Sequence, residues 1–472
     1  MRFLGSFDIL PIMKKIVFGE YLKGKKITVM GLGLLGGALN DAIYLAKHGA
    51  DLTVTDLKTA EQLKSSIDKL KKYKIKYVLG EHRLEDFRQA DLILQPGNVP
   101  MDSPYLAEAR KNNIPIYVSE SLFAELVPES VILVGVTGTR GKSTVTQLVY
   151  EILKKAYDSN PTSPRLRGTR VHLGGNVKSV STLALLDKIE ECDIVVMELD
   201  SWALHGMGDI KKSPNVAVFT NLMTDHQNFY KGSMEKYFAD KANIYRWQME
   251  EDTIIVGDSI AKKIKADKPA GMLIPVSAKD FPRGWKTKMI GEHNLLNASL
   301  AISVARAMDV DEKIIKQVVA NFAGVPGRLE LIREVGGVKY YNDTTATTPD
   351  GALAAFRALK KYAGKLIILG GGADKELDFK AYAKEVGHYV KELILFKGQA
   401  TEKILKALGS RASKWKKDVA VVDNMKDAFK LARGYAKKGD IILLSPGAAS
   451  FGVFRNEFDR GEQFVKLVEK LK

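Results

Sequence analysis

The stretch GVTGTRGKSTVTQLV, residues 135–149, combines an apolar lead-in, a turn rich in Gly and Thr, the run Gly-Lys-Ser-Thr and a helix-like tail. Strand, glycine turn and helix in this order are typical of a phosphate-binding loop, where backbone N–H groups at a helix start face an anion. The usual spacing places the first glycine five residues before Gly141, where this chain has Val136, and the glycine stands at 135. The stretch therefore predicts a nucleotide-binding α/β fold with an unusual loop.

Lys142 and Ser143 occupy the positions that a phosphate-binding loop needs. The turn from Gly138 to Gly141 would cradle phosphates with its backbone N–H groups. The Lys142 ammonium would reach the terminal phosphates, and the hydroxyl of Ser143 or Thr144 would hold Mg²⁺. A helix cap with a chance Gly-Lys-Ser sequence is the alternative, and the strand–turn–helix setting favours the nucleotide.

Strand-like apolar runs alternate with helical patterns along the chain, and most runs end in Gly, Pro, Asp or Asn. This alternation predicts an α/β protein with mostly parallel sheets, whose ligands bind beyond the carboxyl ends of the strands. A chain of 472 residues is too long for one ordinary core. The turns ELVPES (125–130) and AGVPGR (323–328) suggest two boundaries, and hence three domains at 1–126, 127–325 and 326–472.

Composition limits the classes of protein to consider. Apolar residues make up 45% and charged residues 27% of the chain, as in soluble globular proteins. A single cysteine, Cys192, excludes an internal disulfide and a cysteine zinc cluster, and it fits a reducing cytosol. The N-terminal extension, residues 1–25, has neither the charge order of a signal peptide nor a membrane-spanning length of apolar residues. We therefore expect a cytoplasmic protein without stable membrane insertion, while an interfacial helix in the extension stays open.

The net charge of +16 comes from 72 basic and 56 acidic side chains. Because the lysines are scattered rather than gathered in one arm, we expect no nucleic-acid partner. A protein that handles polyanionic small molecules, or that lies near anionic lipid, carries the same bias.

A second glycine loop, GLGLLGG at 31–37, follows a predicted strand and precedes a helical pattern. Gly31, Gly33 and Gly36 satisfy the dinucleotide spacing G-x-G-x-x-G, and Asp56 ends the next strand. The loop predicts either a nucleotide whose diphosphate sits on the helix N-terminus or a tight turn without a ligand. A redox cofactor is not required, because a UDP group has the same diphosphate and ribose.

The order of further segments resembles the signatures of the Mur ligase family, the ATP-dependent ligases that build the cytoplasmic peptidoglycan precursor. The resemblance starts from the loop spacing GxTGTxGKST and covers about residues 26–470. The other segments are GGN (174–176), MELDSWAL (197–204), NLMTDHQNFYKGSMEKYFADKANIY (221–245), GEHNLLNASLAISVA (291–305), GVPGRLE (324–330), YYNDTTATTPDGALAAF (340–356), LGGGADKELDF (369–379) and LLSPGAASFGVFRNEFDRGEQF (443–464).

The opening glycine loop and the closing SPGAAS and RGEQF runs are most similar to the branch of the family that adds D-glutamate to UDP-N-acetylmuramoyl-L-alanine. The resemblance implies that ATP converts the sugar-linked carboxylate into an acyl phosphate, which the amine of D-glutamate attacks with release of ADP and phosphate. It implies a Rossmann-like N-terminal domain for the UDP-sugar and a central P-loop ATPase-like domain. It also implies a Rossmann-like C-terminal domain that binds the amino acid and closes on ATP. We expect a monomer with two Mg²⁺ sites.

The resemblance also implies a catalytic set made of Lys142, Glu198, His226 and Lys241. Ser143 and Glu198 would hold the first Mg²⁺, and His226 would help to hold a second one near the substrate carboxylate. Lys241 matches a lysine that is carbamylated in the family, and its carbamate would bind or orient the metal shell. This chemistry is reasonable because a lysine near cations in a closed site loses its proton readily.

The predicted binding residues fall into three groups by ligand. The ATP group is Gly138, Thr139, Arg140, Gly141, Lys142, Ser143, Thr144, Asn294, Asn297, Arg328 and Asp343. The UDP-sugar group is Leu34, Leu35, Asp56, Lys58, Gly97, Asn98 and Asn176. The amino-acid group is Thr347, Lys375 and Ser450, a lysine and two hydroxyls that would hold two carboxylates.

Several positions depart from the family pattern. Thr345 stands where the family usually has a lysine, and Glu457 stands where it has an aromatic residue near the acceptor pocket. Arg140 replaces the commoner Asn of the ATP loop, and Asp200 replaces a Ser near Glu198. These departures leave the ligase reaction in place and leave the acceptor amino acid open.

Other interpretations stay open beside this one. A sister ligase, either another Mur ligase or a folylpolyglutamate synthase-like enzyme, would share the ATP site and use another acceptor. An NAD-dependent dehydrogenase would use the 31–37 loop but would leave the 135–245 region without a role. A non-catalytic nucleotide-binding protein would not need Glu198, His226 and Lys241 together.

Overall fold

A computed structural model describes the chain over residues 18–33, 37–97, 99–100, 102–158, 169–177, 181–226, 229–410 and 419–471. The chain divides into two compact units. The first unit comprises residues 1–280 and 297–318, and the second comprises residues 281–296 and 319–472. Over the described ranges, no helix has the length and apolar character needed to cross a bilayer.

The first sheet belongs to the first unit and has five parallel strands. They are β1 (Lys26–Met30), β2 (Asp51–Asp56), β3 (Ile75–Leu79), β4 (Leu92–Leu94) and β5 (Ile116–Tyr117), in the order β3-β2-β1-β4-β5. The accompanying helices are α1 (Phe18–Leu22), α2 (Gly37–Lys47), α3 (Lys64–Leu70), α4 (Leu84–Arg88), α5 (Pro104–Lys111) and α6 (Ser119–Leu126). The strand order reverses between β1 and β4, so the glycines that follow β1, Gly31 and Gly33, lie at the switch point of a Rossmann-like sheet.

The second sheet, also in the first unit, has six parallel strands. They are β6 (Ile132–Thr137), β7 (Val171–Gly175), β8 (Ile194–Glu198), β9 (Val216–Phe219), β10 (Thr253–Gly257) and β11 (Met272–Val276), in the order β11-β10-β9-β6-β8-β7. The helices of this part are α7 (Lys142–Asp158), α8 (Ser201–Asp209), α9 (Met234–Ala242) and α10 (Asp258–Ala266), with short 3-10 helices at Leu183–Asp187 and Ala278–Asp280. Since β6 lies between β8 and β9, its carboxyl end has two neighbouring strand ends for side chains to converge upon.

The third sheet forms the second unit and is mixed. Its strands are β12 (Glu330–Val335), β13 (Val338–Asn342), β14 (Leu366–Gly371), β15 (Val390–Phe396), β16 (Ala420–Val422) and β17 (Ile441–Leu444), in the order β12-β13-β17-β14-β15-β16. Only the β12–β13 pairing is antiparallel among these, through a tight turn in which Gly336 and Gly337 both have positive φ. The helices are α13 (Pro349–Ala358), α14 (Lys380–Tyr389), α15 (Gln399–Leu408), α16 (Met425–Tyr435) and α17 (Glu457–Glu469), with a 3-10 helix at Lys360–Tyr362. The helices α11 (Glu292–Ala307) and α12 (Glu312–Asn321) belong partly to each unit.

The cores follow from the apolar runs that form the strands. In β14, Leu366 and Ile368 enter one apolar cluster, whereas Ile367 and Leu369 enter another cluster on the opposite face. A strand buried on both faces needs such a continuous apolar run, because successive side chains alternate between the faces. In the first unit, one apolar cluster contains residues of both sheets, such as Val29 of β1 and Val195 of β8, together with Leu45 of α2 and Leu204 of α8.

The predicted α/β class with mostly parallel sheets is confirmed. The sheet of the second unit departs from an all-parallel one at its edge, because the short turn after β12 forces β13 to return beside it in the opposite direction. The domain boundaries at 126/127 and 325/326 stay a prediction.

Candidate active site

In the loop after β6, the backbone passes very close to two neighbouring side chains, at Gly138 and at Gly141. Gly138 has a φ of 137°, and a Cβ there would lie 1.9 Å from Thr220 Oγ1. Gly141 has a φ of 86°, and a Cβ there would lie 2.3 Å from Asn297 Oδ1. Only glycine fits both the conformation and the space at these two positions. The unusual spacing of the glycines therefore reflects the contacts of this loop.

The loop is also fixed by hydrogen bonds to the segment after β9. The backbone N–H of Thr139 donates to the carbonyl oxygen of Asn221 at 2.9 Å, and the N–H of Arg140 donates to Asn221 Oδ1 at 3.0 Å. Arg140 also pairs with Asp225 at 3.6 Å. The helix α7 begins directly at Lys142, so Ser143 and Thr144 lie in its first turn. This is the preformed strand–loop–helix geometry that binds phosphate groups.

Two lysines converge behind this loop. Lys142 Nζ donates to the carbonyl oxygens of Gly138, at 3.0 Å, and of Thr139, at 3.2 Å. Lys241, on α9, is 1% exposed, and its Nζ donates to Gly138 O at 3.1 Å and to Thr137 Oγ1 at 3.3 Å. The Lys241 ammonium also lies 4.9 Å from the centre of the Tyr237 ring.

The surroundings of Lys241 favour its neutral form. Burial lowers the pKa of the Lys241 ammonium well below its ordinary value, and the nearby charge of Lys142 lowers it further. The carboxylates of Asp200, Asp225 and Glu198 act in the opposite direction. An amine in this state is a nucleophile, which is what reaction with CO₂ requires.

Glu198 ends β8 beside the carboxyl end of β6. It is paired with Val136 on one side and Gly175 on the other, and it is 5% exposed. A Cβ at Gly175 would lie 2.1 Å from the Glu198 carbonyl oxygen, so the glycine allows this close approach. The backbone N–H of Asn176 donates to the same oxygen at 2.8 Å. Asn176, a predicted UDP-sugar residue, is therefore held at the strand end that carries Glu198.

His226 lies near these groups in an aromatic setting. Its ring centre is 4.8 Å from that of Trp202 and 6.0 Å from that of Tyr237, the ring that lies over Lys241. Its φ of 52° is uncommon for a residue with a side chain, and its backbone N–H donates to Asp225 Oδ1 at 2.9 Å. The described residues include no group of three or more His, Cys, Asp or Glu side chains arranged to hold a metal ion.

The glycine loop at 31–33 is bound internally by Asp56. Asp56 Oδ2 accepts from the backbone N–H groups of Leu32, at 2.9 Å, and Gly33, at 3.2 Å, while Oδ1 accepts from the backbone N–H of Lys58 at 2.9 Å. These N–H groups already face a carboxylate, so they do not form the open anion cradle that the sequence spacing suggests. A Cβ at Gly97 would lie 2.6 Å from Trp202 Cβ. The predicted residues Leu34, Leu35 and Asn98 lie outside the described residues.

In the second unit, the predicted amino-acid residues lie on adjoining loops. Lys375 Nζ donates to Thr347 Oγ1 at 3.2 Å. The loops of Lys375 and Ser450 are joined by two backbone hydrogen bonds between Ala373 and Ala449, of 2.9 and 3.1 Å. Ser450 is 3% exposed. The structure therefore brings Lys375 into contact with Thr347 and places the loop of Ser450 next to that of Lys375.

The second unit also contains three predicted ATP residues. Asp343 is 8% exposed, and it accepts from Leu329 N–H at 3.0 Å and from Ser445 Oγ at 2.8 Å. Arg328 follows the turn at Gly327, next to Leu329. Asn294 Nδ2 donates to the carbonyl oxygen of Ile290 at 2.9 Å. Asp343 and Arg328 are thus close in the fold, whereas Asn297 belongs to the first unit beside Gly141.

Two further residues belong to these clusters, and the sequence patterns did not predict them. Thr137 is fully buried, donates to Leu199 O at 2.7 Å and accepts from Lys241, a role that its place at a strand end could have indicated. Arg460 is also fully buried, behind the loops of the second unit. It shares a helix face with Phe464 at i+4 and Val468 at i+8, a spacing that predicts a buried position.

Comparison with known proteins matches three consecutive parts of the chain to one family. The profile of the MurD-like Mur ligase N-terminal domain matches residues 25–118, that of the Mur ligase middle domain residues 136–271, and that of the Mur ligase glutamate ligase domain residues 327–447. Together these profiles support the predicted organisation in three Mur ligase domains.

Curated relatives match over nearly the whole chain. A UDP-N-acetylmuramoylalanine–D-glutamate ligase of Roseiflexus sp. (strain RS-1) is 37% identical over 95% of this chain and 99% of its own length. The enzyme of the same name from Borreliella afzelii (strain PKo) is 34% identical over 96% of this chain and 99% of its own length. Relatives of this name also occur in Acetivibrio thermocellus, at 32% identity.

Solved structures share the fold at low sequence identity. The UDP-N-acetylmuramate–alanine ligase MurC of Thermotoga maritima has a TM-score of 0.59 at 19% identity, covering 95% of this chain and 100% of its own. The MurF ligase of the same organism, solved with ADP, has a TM-score of 0.56 at 20% identity, covering 89% of this chain and 95% of its own. On the profile matches and the nearly full-length relatives, the chain belongs to the Mur ligase family, as a MurD-like member.

Proposed function

We propose that this chain is an ATP-dependent ligase that joins D-glutamate to UDP-N-acetylmuramoyl-L-alanine in the synthesis of the peptidoglycan precursor. The relatives that carry this name at 32–37% identity support the choice of substrates. The observation that carries the chemistry is the convergence of Lys142 and Lys241 on the Gly138 carbonyl, in a loop bordered by the strand end of Glu198. The reaction needs such a place, because a carboxylate and a triphosphate repel each other until fixed cations and amides bring them together.

The proposed reaction has two steps. The sugar-linked carboxylate attacks the terminal phosphorus of ATP, which gives an acyl phosphate and ADP. The neutral amine of D-glutamate then attacks the acyl carbon, the bond from that carbon to the phosphate oxygen breaks, and phosphate leaves with the proton that the amine gives up. Lys142 would contact the terminal phosphates, and the N–H groups of the 138–141 turn would hold the chain of phosphates. Thr347, Lys375 and Ser450 would bind the carboxylates of the amino acid and leave its amine free.

The residues around the loop fit Mg²⁺ by their chemistry, provided that Lys241 is carbamylated. Ser143, Glu198, His226 and the Lys241 carbamate would then offer a hydroxyl, a carboxylate, an imidazole and a second anion, mostly the oxygen ligands that Mg²⁺ prefers. As an ammonium, Lys241 would oppose a metal. Burial and the nearby charge of Lys142 make the neutral amine of Lys241 available for the modification, against the effect of the Asp200, Asp225 and Glu198 carboxylates. The metal would supply charge neutralisation at the phosphates.

The hydrogen bonds of Asp56 do not favour the dehydrogenase interpretation. In a dinucleotide site the glycine-loop N–H groups face the diphosphate and the acidic residue binds the ribose. Here both oxygens of Asp56 are used within the loop and the following turn. We propose instead that this loop, with Lys58, Gly97 and Asn176, contributes to the UDP-sugar site at 1–126, beside an ATP-binding domain at 127–325 and an acceptor domain at 326–472. We further propose a cytoplasmic monomer.

The test is an assay of ADP release by the purified protein with Mg²⁺ and ATP. Release should require both UDP-N-acetylmuramoyl-L-alanine and an amino acid, with D-glutamate the best acceptor in a panel that includes L-glutamate, L-alanine and lysine. The Lys142→Met variant should lose the activity and still fold. Release driven by another acceptor would move the proposal to a sister ligase, which Thr345 and Glu457 leave open. Release driven by a folate, or turnover of NADH, would overturn it.

A further inference from the structure

Arg460 is the largest side chain that the second unit buries completely, among the residues described. It lies in the first turns of α17 and points away from solvent into the loops that follow β13 and β17. A buried guanidinium is costly unless its N–H groups are paired. The hydrogen-bond partners of Arg460 therefore indicate which parts of the fold it stabilises.

The partners of Arg460 are backbone and hydroxyl oxygens of two loops. Its Nε donates to Thr344 Oγ1 at 3.2 Å, and one terminal nitrogen donates to the Thr344 carbonyl oxygen at 2.8 Å. The other terminal nitrogen donates to the Ala448 carbonyl oxygen at 3.3 Å. Thr344 Oγ1 itself donates to the carbonyl oxygen of Glu457, at 2.7 Å, so the first loop is also tied to the start of α17. One planar side chain thus joins two separate loops.

These two loops carry the residues that we propose for the acceptor and for ATP. Thr344 lies between Asp343 and Thr347, and Ala448 lies two residues before Ser450. The next residue, Thr345, donates to the Gly327 carbonyl oxygen through both its N–H, at 3.2 Å, and its hydroxyl, at 2.9 Å. That contact extends the same chain of hydrogen bonds to the turn before Arg328.

The helix is placed for this contact by its sequence. A Cβ at Gly461 would lie 2.7 Å from Thr344 Cγ2, so the glycine after Arg460 lets α17 approach the loop closely. The helix is anchored further along by Phe464 and Val468, which are fully buried in an apolar cluster away from the two loops. The contact with the loops and the anchoring of the helix are thus made by different residues.

We propose that Arg460 is a positioning residue that sets the affinity for the acceptor amino acid, by fixing the Thr344 and Ala448 loops and placing a positive charge behind them. This inference rests on the proposed ligase function. The carbonyl oxygens of Thr344 and Ala448 are turned toward the guanidinium, and without it they would be free to face an incoming carboxylate and repel it. A buried charge acts strongly on a nearby anion, because few water molecules screen it.

The experiment compares Arg460→Met, which keeps the length of the side chain and removes its charge, with Arg460→Lys, which keeps a charge but cannot form the fork. The KM for D-glutamate should rise at least about tenfold in Arg460→Met and less in Arg460→Lys, as expected for losing hydrogen bonds to a charged group. The KM for the UDP-sugar substrate should stay within about twofold, because its proposed residues lie in the first unit.

Val468→Ala is the matched control, since it weakens the same helix without touching the loops. It should lower the melting temperature and leave the acceptor KM unchanged. The inference is overturned if Arg460→Met leaves the acceptor KM unchanged, or if Val468→Ala raises it equally at a similar loss of melting temperature. Should Arg460→Met not fold, Thr344→Val, which removes the hydroxyl partner, has to raise the acceptor KM. A wild-type protein that releases no ADP with D-glutamate would refute the proposed function instead.

Discussion

Lys142 and Lys241 donate to the same oxygen, the carbonyl of Gly138, at 3.0 and 3.1 Å. Two ammonium groups at one acceptor repel each other, and the fully buried one is the easier to discharge. This explains the direction of the pKa of Lys241, which falls well below the ordinary value of a lysine through burial and then through Lys142. The contact at Gly138 thus favours the neutral form of Lys241.

The first prediction concerns this amine. Because the pKa of Lys241 is lowered, its neutral form is available at a lower pH than for an exposed lysine, and it should form a carbamate near neutral pH. Protein equilibrated with isotopically labelled bicarbonate should show one protected carbamate signal by NMR. Lys241→Arg should lose that signal and reduce ADP release by at least about 100-fold, the scale of removing a group that stabilises charge in the site.

Lys236→Arg is the control, because it changes an exposed lysine of the same helix. It should keep both the carbamate signal and the activity. A signal that survives in Lys241→Arg would contradict the carbamate assignment.

The second prediction tests the tight space in the nucleotide loop. Gly141→Ala would bring a Cβ to 2.3 Å from Asn297 Oδ1, and Asn297 is only 5% exposed and so has little room to move. The KM for ATP should rise at least about tenfold, because the backbone N–H groups of the turn would be displaced from the phosphates. The kinetics of ADP release at varied ATP concentrations measure this effect.

Gly24→Ala separates the steric effect from backbone strain. Gly24 also has a positive φ, of 74°, but a Cβ there meets nothing within 4 Å. Both substitutions should cost about 1 kcal/mol of stability through the left-handed conformation. Equal ATP kinetics in the two variants would show that the approach of Asn297 does not matter.

The places of Lys142 and Glu198 in the fold were predictable from sequence. Glu198 ends a strand and Lys142 begins the helix after the glycine turn of a neighbouring strand, and parallel sheets bring such ends together. The pairing of Lys241 with the loop came only from the resemblance, since a helix lysine read alone is usually solvated. Its burial accompanies contacts with Thr137 and Gly138, which are distant in sequence, so no local pattern encodes it.

Other features were beyond the sequence for physical reasons. Asp56 satisfies the spacing of a dinucleotide site, yet its carboxylate binds its own loop, because the geometry of Leu32 and Gly33 decides which anion they face. An arginine in a helix is normally predicted to be exposed. Arg460 is predicted to be buried only if it is assigned to the same helix face as the apolar residues Phe464 and Val468. The antiparallel pairing of β12 with β13 at the sheet edge depends on the turn at Gly336 and Gly337, which belongs to none of the family motifs.

The third prediction follows from the internal role of Asp56. Asp56→Asn keeps one acceptor oxygen and replaces the other by an amide N–H₂. The backbone N–H groups that bonded to the replaced oxygen, either those of Leu32 and Gly33 or that of Lys58, then face another donor. The variant should lose about 1–3 kcal/mol of stability, the cost of leaving buried donors without a partner. The KM for the UDP-sugar should rise, while the KM for ATP should not change.

Asp51→Asn serves as the control, because Asp51 is exposed at the start of the same strand. It should behave as wild type in chemical denaturation and in both kinetic titrations. A rise in the ATP KM of Asp56→Asn equal to that of the UDP-sugar KM would show a general loss of folding rather than a local one.

The fourth prediction concerns a buried carboxyl group of the first unit. Asp41, on α2, is 6% exposed and accepts hydrogen bonds from Ser119 Oγ at 3.1 Å and Ser181 Oγ at 3.2 Å. Burial raises its pKa to about 7, against the effect of the two hydroxyls. Glu120 lies nearby, and burial followed by the charge of Asp200 raises its pKa to about 8, with a smaller contribution from Asp41.

The sign of the effect follows from proton linkage. The ordinary pKa of this carboxyl is 3.8, so between that value and about 7 the folded chain keeps a proton that the unfolded chain has released. Stability therefore falls as the pH rises through this window, and the full cost of burying Asp41, up to about 4 kcal/mol, is present above it.

Asp41→Asn keeps an acceptor for both serines and removes the ionisation. Its melting temperature relative to wild type should therefore increase from about pH 5 to about pH 8. Asp51→Asn should show no such trend, and a difference for Asp41→Asn that does not vary with pH would mean that Asp41 does not titrate in this range.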